Sequence, residues 1–310
     1  MKVGFIGLGT MGSGMSNNIR KAEFDMIVHD LNKDSAKQLI ESGAEWADTP
    51  KQVAESADVV LTSLPGPPDV EAVALGPNGL LEGLKPGSVW CDLTTNSPTL
   101  MRRLHAQFLE KGIHVLDTPV SGGPVGAATG RMAIWVGGDE AVFNEYRHVL
   151  DAMGDQVKYI GPIGAGTVAK LVHNCAGYAL QTALAEVFTM GVKAGVEPLS
   201  LWDAIRQGAG GRRRTFDSLA GQFMQNKFDP PSFQLRLAHK DVKLATELGK
   251  EVGVPMRLCN MALEEMTEAM ARPGWPTLDS RVAMVIQRER AGVEIEVAAE
   301  DIEALLRDNP

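Results

Sequence analysis

Cysteine is scarce in this sequence. Its 310 residues hold three, Cys91, Cys175 and Cys259. They are odd in number, widely spaced and in no metal-ligand pattern. That excludes a disulfide framework and a structural metal module, and it reads as reduced, intracellular thiols. Positive charge is short as well: 30 basic residues stand against 39 acidic ones, for a formal net charge of -9. No basic face is left to dominate, which argues against general nucleic-acid binding. No apolar run reaches the roughly 20 residues of a membrane-crossing helix. The first residues enter a strand pattern at once, leaving no room for a signal peptide. We therefore expect a cytoplasmic chain with no metal, no membrane and no nucleic-acid partner. Internal repeats and low-complexity linkers are missing too. The hydrophobic content of 44% is ordinary for a globular protein, and the length suffices for two domains.

What is present starts at the first residue. Met1 to Gly12 reads MKVGFIGLGTMG, an apolar strand running into Gly7-Leu8-Gly9-Thr10-Met11-Gly12. Glycines at this spacing, between a strand and an amphipathic helix, bind a dinucleotide pyrophosphate. The first makes the turn, the second lets the backbone approach the phosphates, and the third lets the helix pack. The helix N-terminus then faces the anion with unpaired N–H groups. A second strand ends at Asp30, 21 residues past Gly9. An acid there accepts hydrogen bonds from the adenosine ribose and repels a 2′-phosphate, so NAD is preferred to NADP.

Strand patterns at 2–6, 24–29, 58–64, 88–92, 114–118, 132–136 and 157–160 alternate with helical ones at 11–20, 35–42, 49–56, 69–74, 98–111 and 139–153. This predicts an α/β Rossmann-type domain over 1–163, its sheet mostly parallel. After Gly161-Pro162-Ile163-Gly164 the pattern changes. An apolar helical stretch from Thr167 to about Ala194 predicts a long interdomain helix. The rest reads as helices at 198–206, 215–225, 235–252, 255–271 and 280–292, with an amphipathic tail. An all-α domain over 164–310, for substrate and oligomerisation, is expected. The long helix is more apolar than one small domain needs, which points to a homodimer or homotetramer.

Three segments offer chemistry. Asp117-Thr-Pro-Val-Ser121-Gly122-Gly123 sits where a strand ends, the edge at which open α/β sheets bind ligands. Its hydroxyl and bare N–H groups suit a carboxylate, and its two glycines have no evident turn to serve. Lys170 lies in the first turns of the long helix among apolar residues, with Asn174 four positions on and so on the same face. Burial lowers a lysine pKa toward the range of a working acid/base. His173 and Cys175 flank Asn174 and read as packing residues on other faces. The third segment runs from Phe233 to Lys240-Asp241-Val-Lys243-Leu244-Ala245, where Phe233 and Lys240 are candidates for the cofactor.

In order and spacing these stretches resemble the β-hydroxyacid dehydrogenase family, the 3-hydroxyisobutyrate dehydrogenase-like enzymes. Gly7 to Met15 matches its GLGxMGxxM, Asp117 to Ala127 its DxPVSGGxxGA and Gly164 to Lys170 its GxGxxxK, while Lys240 to Ala245 resembles its KDLxLA. The resemblance implies Lys170 as acid/base and Asn174 as the residue orienting substrate. Ser121, Gly122 and Gly123 become the carboxylate cradle, and Leu64, Pro65, Thr95 and Lys240 cofactor contacts. It also implies a small hydroxyacid or semialdehyde as substrate. The chain departs from the family in carrying His173 where many members have asparagine. A run of Arg212, Arg213 and Arg214 is also unusual, and reads as a solvated loop or as a site for a second anionic group. Other readings are an NADPH-dependent semialdehyde or glyoxylate reductase of this family, a 6-phosphogluconate-like decarboxylase, an imine reductase, and a non-catalytic dinucleotide-binding module.

Overall fold

Short, nearly unbroken apolar runs in the first half build one nine-stranded sheet with a core on each face. A computed structural model describes the chain except residues 197, 209, 213–218, 220, 237, 240, 241, 244, 245, 247–249, 251, 252, 293, 309 and 310. The strands are β1 (Lys2–Ile6), β2 (Asp25–His29), β3 (Glu45–Trp46), β4 (Val59–Thr62), β5 (Val89–Asp92), β6 (His114–Asp117), β7 (Val120–Ser121), β8 (Met132–Gly137) and β9 (Gly154–Gly161). Their order is β3-β2-β1-β4-β5-β6-β8-β7, with β9 paired to β8. The first six pair in parallel, whereas β8 runs antiparallel to β6 and β7.

The helices of this half are α1 (Thr10–Lys21), α2 (Lys37–Glu41), α3 (Pro50–Ser56), α4 (Pro67–Leu75), α5 (Leu80–Gly83), α6 (Pro98–Leu109), α7 (Gly123–Thr129) and α8 (Glu140–Asp151). Successive strand residues point to opposite faces. Phe5, Leu61 and Cys91 pack with Met15 and Ile19 of α1 and Phe143 of α8. Ile6, Val60 and Trp90 pack on the other face with Val53 of α3 and Leu104 and Phe108 of α6. Burying one such side chain contributes about 1.5–3 kcal/mol.

Helix α9 (Ala165–Lys193) has 29 residues. Two compact units divide within it, Met1–Ala176 and Gly177–Pro310. The chain is thus a Rossmann-type, mostly parallel sheet domain followed by a helical one. The second unit includes α10 (Pro198–Gln207), helices Arg257–Met270, Val285–Ala291 and Ala299–Asp308, and its own core around Phe228, Leu235, Val282 and Ile286. Among the described residues, no helix is long and apolar enough to cross a membrane.

Three local expectations change. The predicted 35–42 helix is a 3-10 turn, Lys33–Ala36, leading into the short α2. Residues 221–226 form turns, so the helix expected over 215–225 does not continue through Gln225. The patterns place no element between residues 118 and 132, where strand β7 and helix α7 form.

Candidate active site

The glycine-rich turn opens the first half of the site. Gly12 lies against the turn so closely that a Cβ there would come within 1.8 Å of the Gly7 carbonyl oxygen. A Cβ on Gly9, the N-cap of α1, would meet nothing within 4 Å. The turn is therefore closed on its protein side and open outward, as a phosphate cradle requires. It borders a cavity of about 610 Å³ at the carboxyl ends of β1, β2 and β4. Gly7, Gly9, Thr10, Met11, Gly12, Asp30, Leu64 and Pro65 line it, and Ala72 and Val73 of α4 add an apolar wall. Leu8 and Thr95 lie outside this lining: Leu8 is buried and Thr95 exposed. Asp30 accepts the N–H of Leu8 at 2.6 Å and of Asn32 at 2.8 Å, which ties the end of β2 to the turn. These residues fit a dinucleotide.

Beneath the cavity lies a buried network that sequence reasoning missed. The Trp90 indole donates to Thr62 Oγ1, and the Thr62 hydroxyl donates to Asp92. Asp92 also accepts from Asn96 and the Thr94 N–H, while Thr94 Oγ1 accepts the Leu64 N–H. The network ties Leu64 to the loop carrying Thr95. The only local signal was an acid ending an apolar strand. Burial pushes the Asp92 carboxyl up to about 6, against the pull of its hydrogen bonds, and the neighbouring Cys91 thiol up to about 12. A carboxyl raised in the folded state stabilises below its unfolded pKa and loses that contribution as pH rises. The window runs from 3.8 to about 6. Over it, Asp92→Asn should gain stability relative to the wild type in paired thermal melts. A gap that stays constant across that range contradicts the assignment.

The second half of the site is built on Asp117, at the end of β6. Its carboxylate accepts the Gly164 N–H at 2.7 Å, the Thr167 N–H at 2.6 Å and the Thr167 hydroxyl at 2.8 Å. These are orphan donors at the start of α9, so Asp117 caps that helix from 47 and 50 residues away. Burial pushes the Asp117 carboxyl upward and the three donors pull it back. Gly166 brings the helix so near the sheet that a Cβ would lie 2.2 Å from the Trp135 carbonyl oxygen.

One turn further on stands Lys170, only 9% exposed. Burial disfavours its ammonium and lowers its pKa. Asn174 follows on the same face, half-buried. Ser121 is half-buried, and Gly122 and Gly123 have φ of +149° and +62°. Both glycines therefore serve the turn from β7 into α7, contrary to the expectation that no turn needed them. His173 is not a packing residue either. It is exposed, its Nε2 is 3.2 Å from Ser121 Oγ, and its ring lies against Trp135.

Other expected residues fall in the second unit or outside the description. Phe233 is 45% exposed, with its N–H held by Asp279 at 3.3 Å. Arg212 is exposed. Lys240, Asp241, Leu244, Ala245, Arg213, Arg214 and the side chain of Cys175 lie outside the described residues. Among the described residues, no group of histidine, cysteine or acidic side chains is placed to hold a metal ion.

Comparison with known proteins decides the family. Residues 2–161 match the family model for the NAD binding domain of 6-phosphogluconate dehydrogenase. Residues 164–286 match that for the NAD-binding domain of NADP-dependent 3-hydroxyisobutyrate dehydrogenase. The chain belongs to the 3-hydroxyisobutyrate dehydrogenase family. The 2-(hydroxymethyl)glutarate dehydrogenase of Eubacterium barkeri is 33% identical over 95% of this chain and 97% of its own. The NAD-dependent L-serine dehydrogenase of Pseudomonas aeruginosa is 38% identical over 68% of this chain and 70% of its own. A structure of Mycobacterium tuberculosis 3-hydroxyisobutyrate dehydrogenase with L-serine is 29% identical, with a TM-score of 0.63, covering 93% of this chain and 99% of that one. Members of the family are oxidoreductases that act on CH–OH groups and bind NAD or NADP.

Proposed function

We propose that the chain is an NAD-dependent dehydrogenase of small β-hydroxyacids, or runs in reverse as a semialdehyde or 2-oxo reductase. The observation that carries this is Lys170: a lysine only 9% exposed, on a helix clamped to the active edge of the sheet. When bound, NAD supplies the hydride acceptor. The turn Gly7 to Gly12 holds its phosphates and Asp30 its adenosine ribose. Ser121, Gly122 and Gly123 receive the substrate carboxylate. Lys170 takes the proton from the substrate hydroxyl, or returns one to the carbonyl oxygen in the reductive direction, and Asn174 orients that oxygen.

The test is a reduction-linked absorbance screen with NAD against L-serine, 3-hydroxypropionate, 3-hydroxyisobutyrate and glycerate. Turnover of at least one is expected. No turnover with tight NAD binding favours the non-catalytic module. Extending the screen to dicarboxylic and sulfonated hydroxyacids asks whether the three arginines read a second anion.

Cofactor choice is carried by Asp30. Asp30→Asn removes the charge facing the ribose, and should raise the KM for NAD about tenfold, the scale of a lost charge-assisted hydrogen bond. The NAD-over-NADP ratio of kcat/KM should shrink by at least as much, and an unchanged ratio argues against this role.

We also propose a cytoplasmic homodimer or homotetramer. Val172 and Leu180 of α9 are exposed, at 56% and 41%, and an assembly would cover such a surface. Sedimentation as a monomer at micromolar concentration contradicts it.

A further inference from the structure

We propose that His173 is a positioning residue for the substrate's acid group. Its Nε2–H holds the Ser121 hydroxyl oxygen, leaving the Ser121 O–H to donate to the carboxylate. This rests on reading Ser121, Gly122 and Gly123 as the carboxylate cradle.

The geometry is local to the first unit. His173 Nε2 lies 3.2 Å from Ser121 Oγ. Strand β7 pairs with β8 through Ser121 and Ala133. Trp135 is two residues past Ala133, and so on the same face of the sheet. Its ring meets the imidazole with centroids 5.2 Å apart at 52°. Ser121 and Trp135 thus hold the imidazole at two points, one polar and one aromatic. The side chain is nonetheless exposed, where a small solute can reach the pair.

The direction of the hydrogen bond decides what Ser121 can do. A serine hydroxyl has one proton and two lone pairs. If it gives that proton to the imidazole, it offers a carboxylate only lone pairs, which repel it. If the imidazole donates, the serine proton is free for the acid. Partial desolvation and the Lys170 charge disfavour the imidazolium. A neutral ring donates to Ser121 through Nε2 only as the Nε2–H tautomer, which is the one the proposal requires.

The experiment uses the full chain, NAD and 3-hydroxyisobutyrate. His173→Ala should raise the KM for the acid about tenfold, with kcat within about threefold and the KM for NAD unchanged. His173→Gln, whose amide nitrogen reaches the Nε2 position, should restore most of the affinity. His173→Asn, which is shorter, should not. Adding His173→Ala to Ser121→Ala should cost nothing beyond the single serine change. Nitrogen-15 spectra of the imidazole should show the Nε2–H tautomer at neutral pH. A proton on Nδ1, a silent His173→Ala, or effects that multiply with Ser121→Ala would each overturn the proposal. If Ser121→Ala leaves the acid's KM unchanged, the cradle reading has failed and takes this inference with it. If Ser121→Ala is costly while His173→Ala is silent, only the inference falls.

Discussion

Lys170→Ala should reduce kcat by about a thousandfold or more while NAD binds with unchanged affinity. Positioned acid/base groups contribute about 10²- to 10⁴-fold. The pH dependence carries a sign. Burial lowers the Lys170 pKa below its ordinary 10.5. Oxidation of a hydroxyacid needs the free amine, so its kcat/KM should rise with pH through that pKa, while the reductive direction should fall. Lys170→Arg keeps the charge but cannot release a proton, and so should stay inactive at every pH. Stability separates chemistry from unfolding. A lysine whose folded pKa is depressed costs stability while charged, and that cost fades as pH rises toward the unfolded value. Replacing it should leave the melting temperature at neutral pH equal or higher. Turnover within tenfold of the wild type in Lys170→Ala would remove this lysine from the mechanism.

The same residues show what the sequence made legible. Strands β1, β2, β4, β5 and β6 read clearly because both faces of a parallel sheet are buried, so their apolar runs are nearly unbroken. The fingerprint glycines read clearly because each has a local reason. Helix α7 did not. Its glycine-rich GPVGAAT has poor helix propensity and owes its form to packing on α1. There Asn18 donates to the Ala127 carbonyl at 2.7 Å, and a Cβ on Gly14 would come within 2.8 Å of the Ala127 backbone. Strand β3 has only two residues, too few for a period. The Asp117 cap spans about fifty residues and leaves no local trace. His173 was misjudged for a simpler reason: residues three apart on a helix are neighbours, so it stands beside Lys170 rather than on a separate face.

Gly166→Ala should be the most damaging single methyl in the first unit outside the cofactor turn. Helix propensity alone predicts a gain of about 1 kcal/mol. Sterics decide otherwise. The added Cβ would lie 2.2 Å from the Trp135 carbonyl oxygen and 2.7 Å from that of Asp117. Both are backbone atoms of the sheet, with no flexible side chain to give way. Relief requires α9 to back off by about 1 Å, the order of the overlap. That movement stretches the bonds from Gly164 and Thr167 to Asp117, now 2.7 and 2.6 Å. Each such bond to a charged group contributes about 1.5–3 kcal/mol, and a buried carboxylate is left short of donors. A net loss of about 3 kcal/mol is expected. In a unit of this size that lowers the melting temperature by about 6–12 °C. Activity should fall further than stability, because Lys170 rides on the same turns and a 1 Å misplacement costs about a hundredfold. Paired melts and kcat measurements below the transition check both. A variant that melts at or above the wild type would show that the helix is not clamped to the sheet edge, and the placement of the amine would then need another explanation.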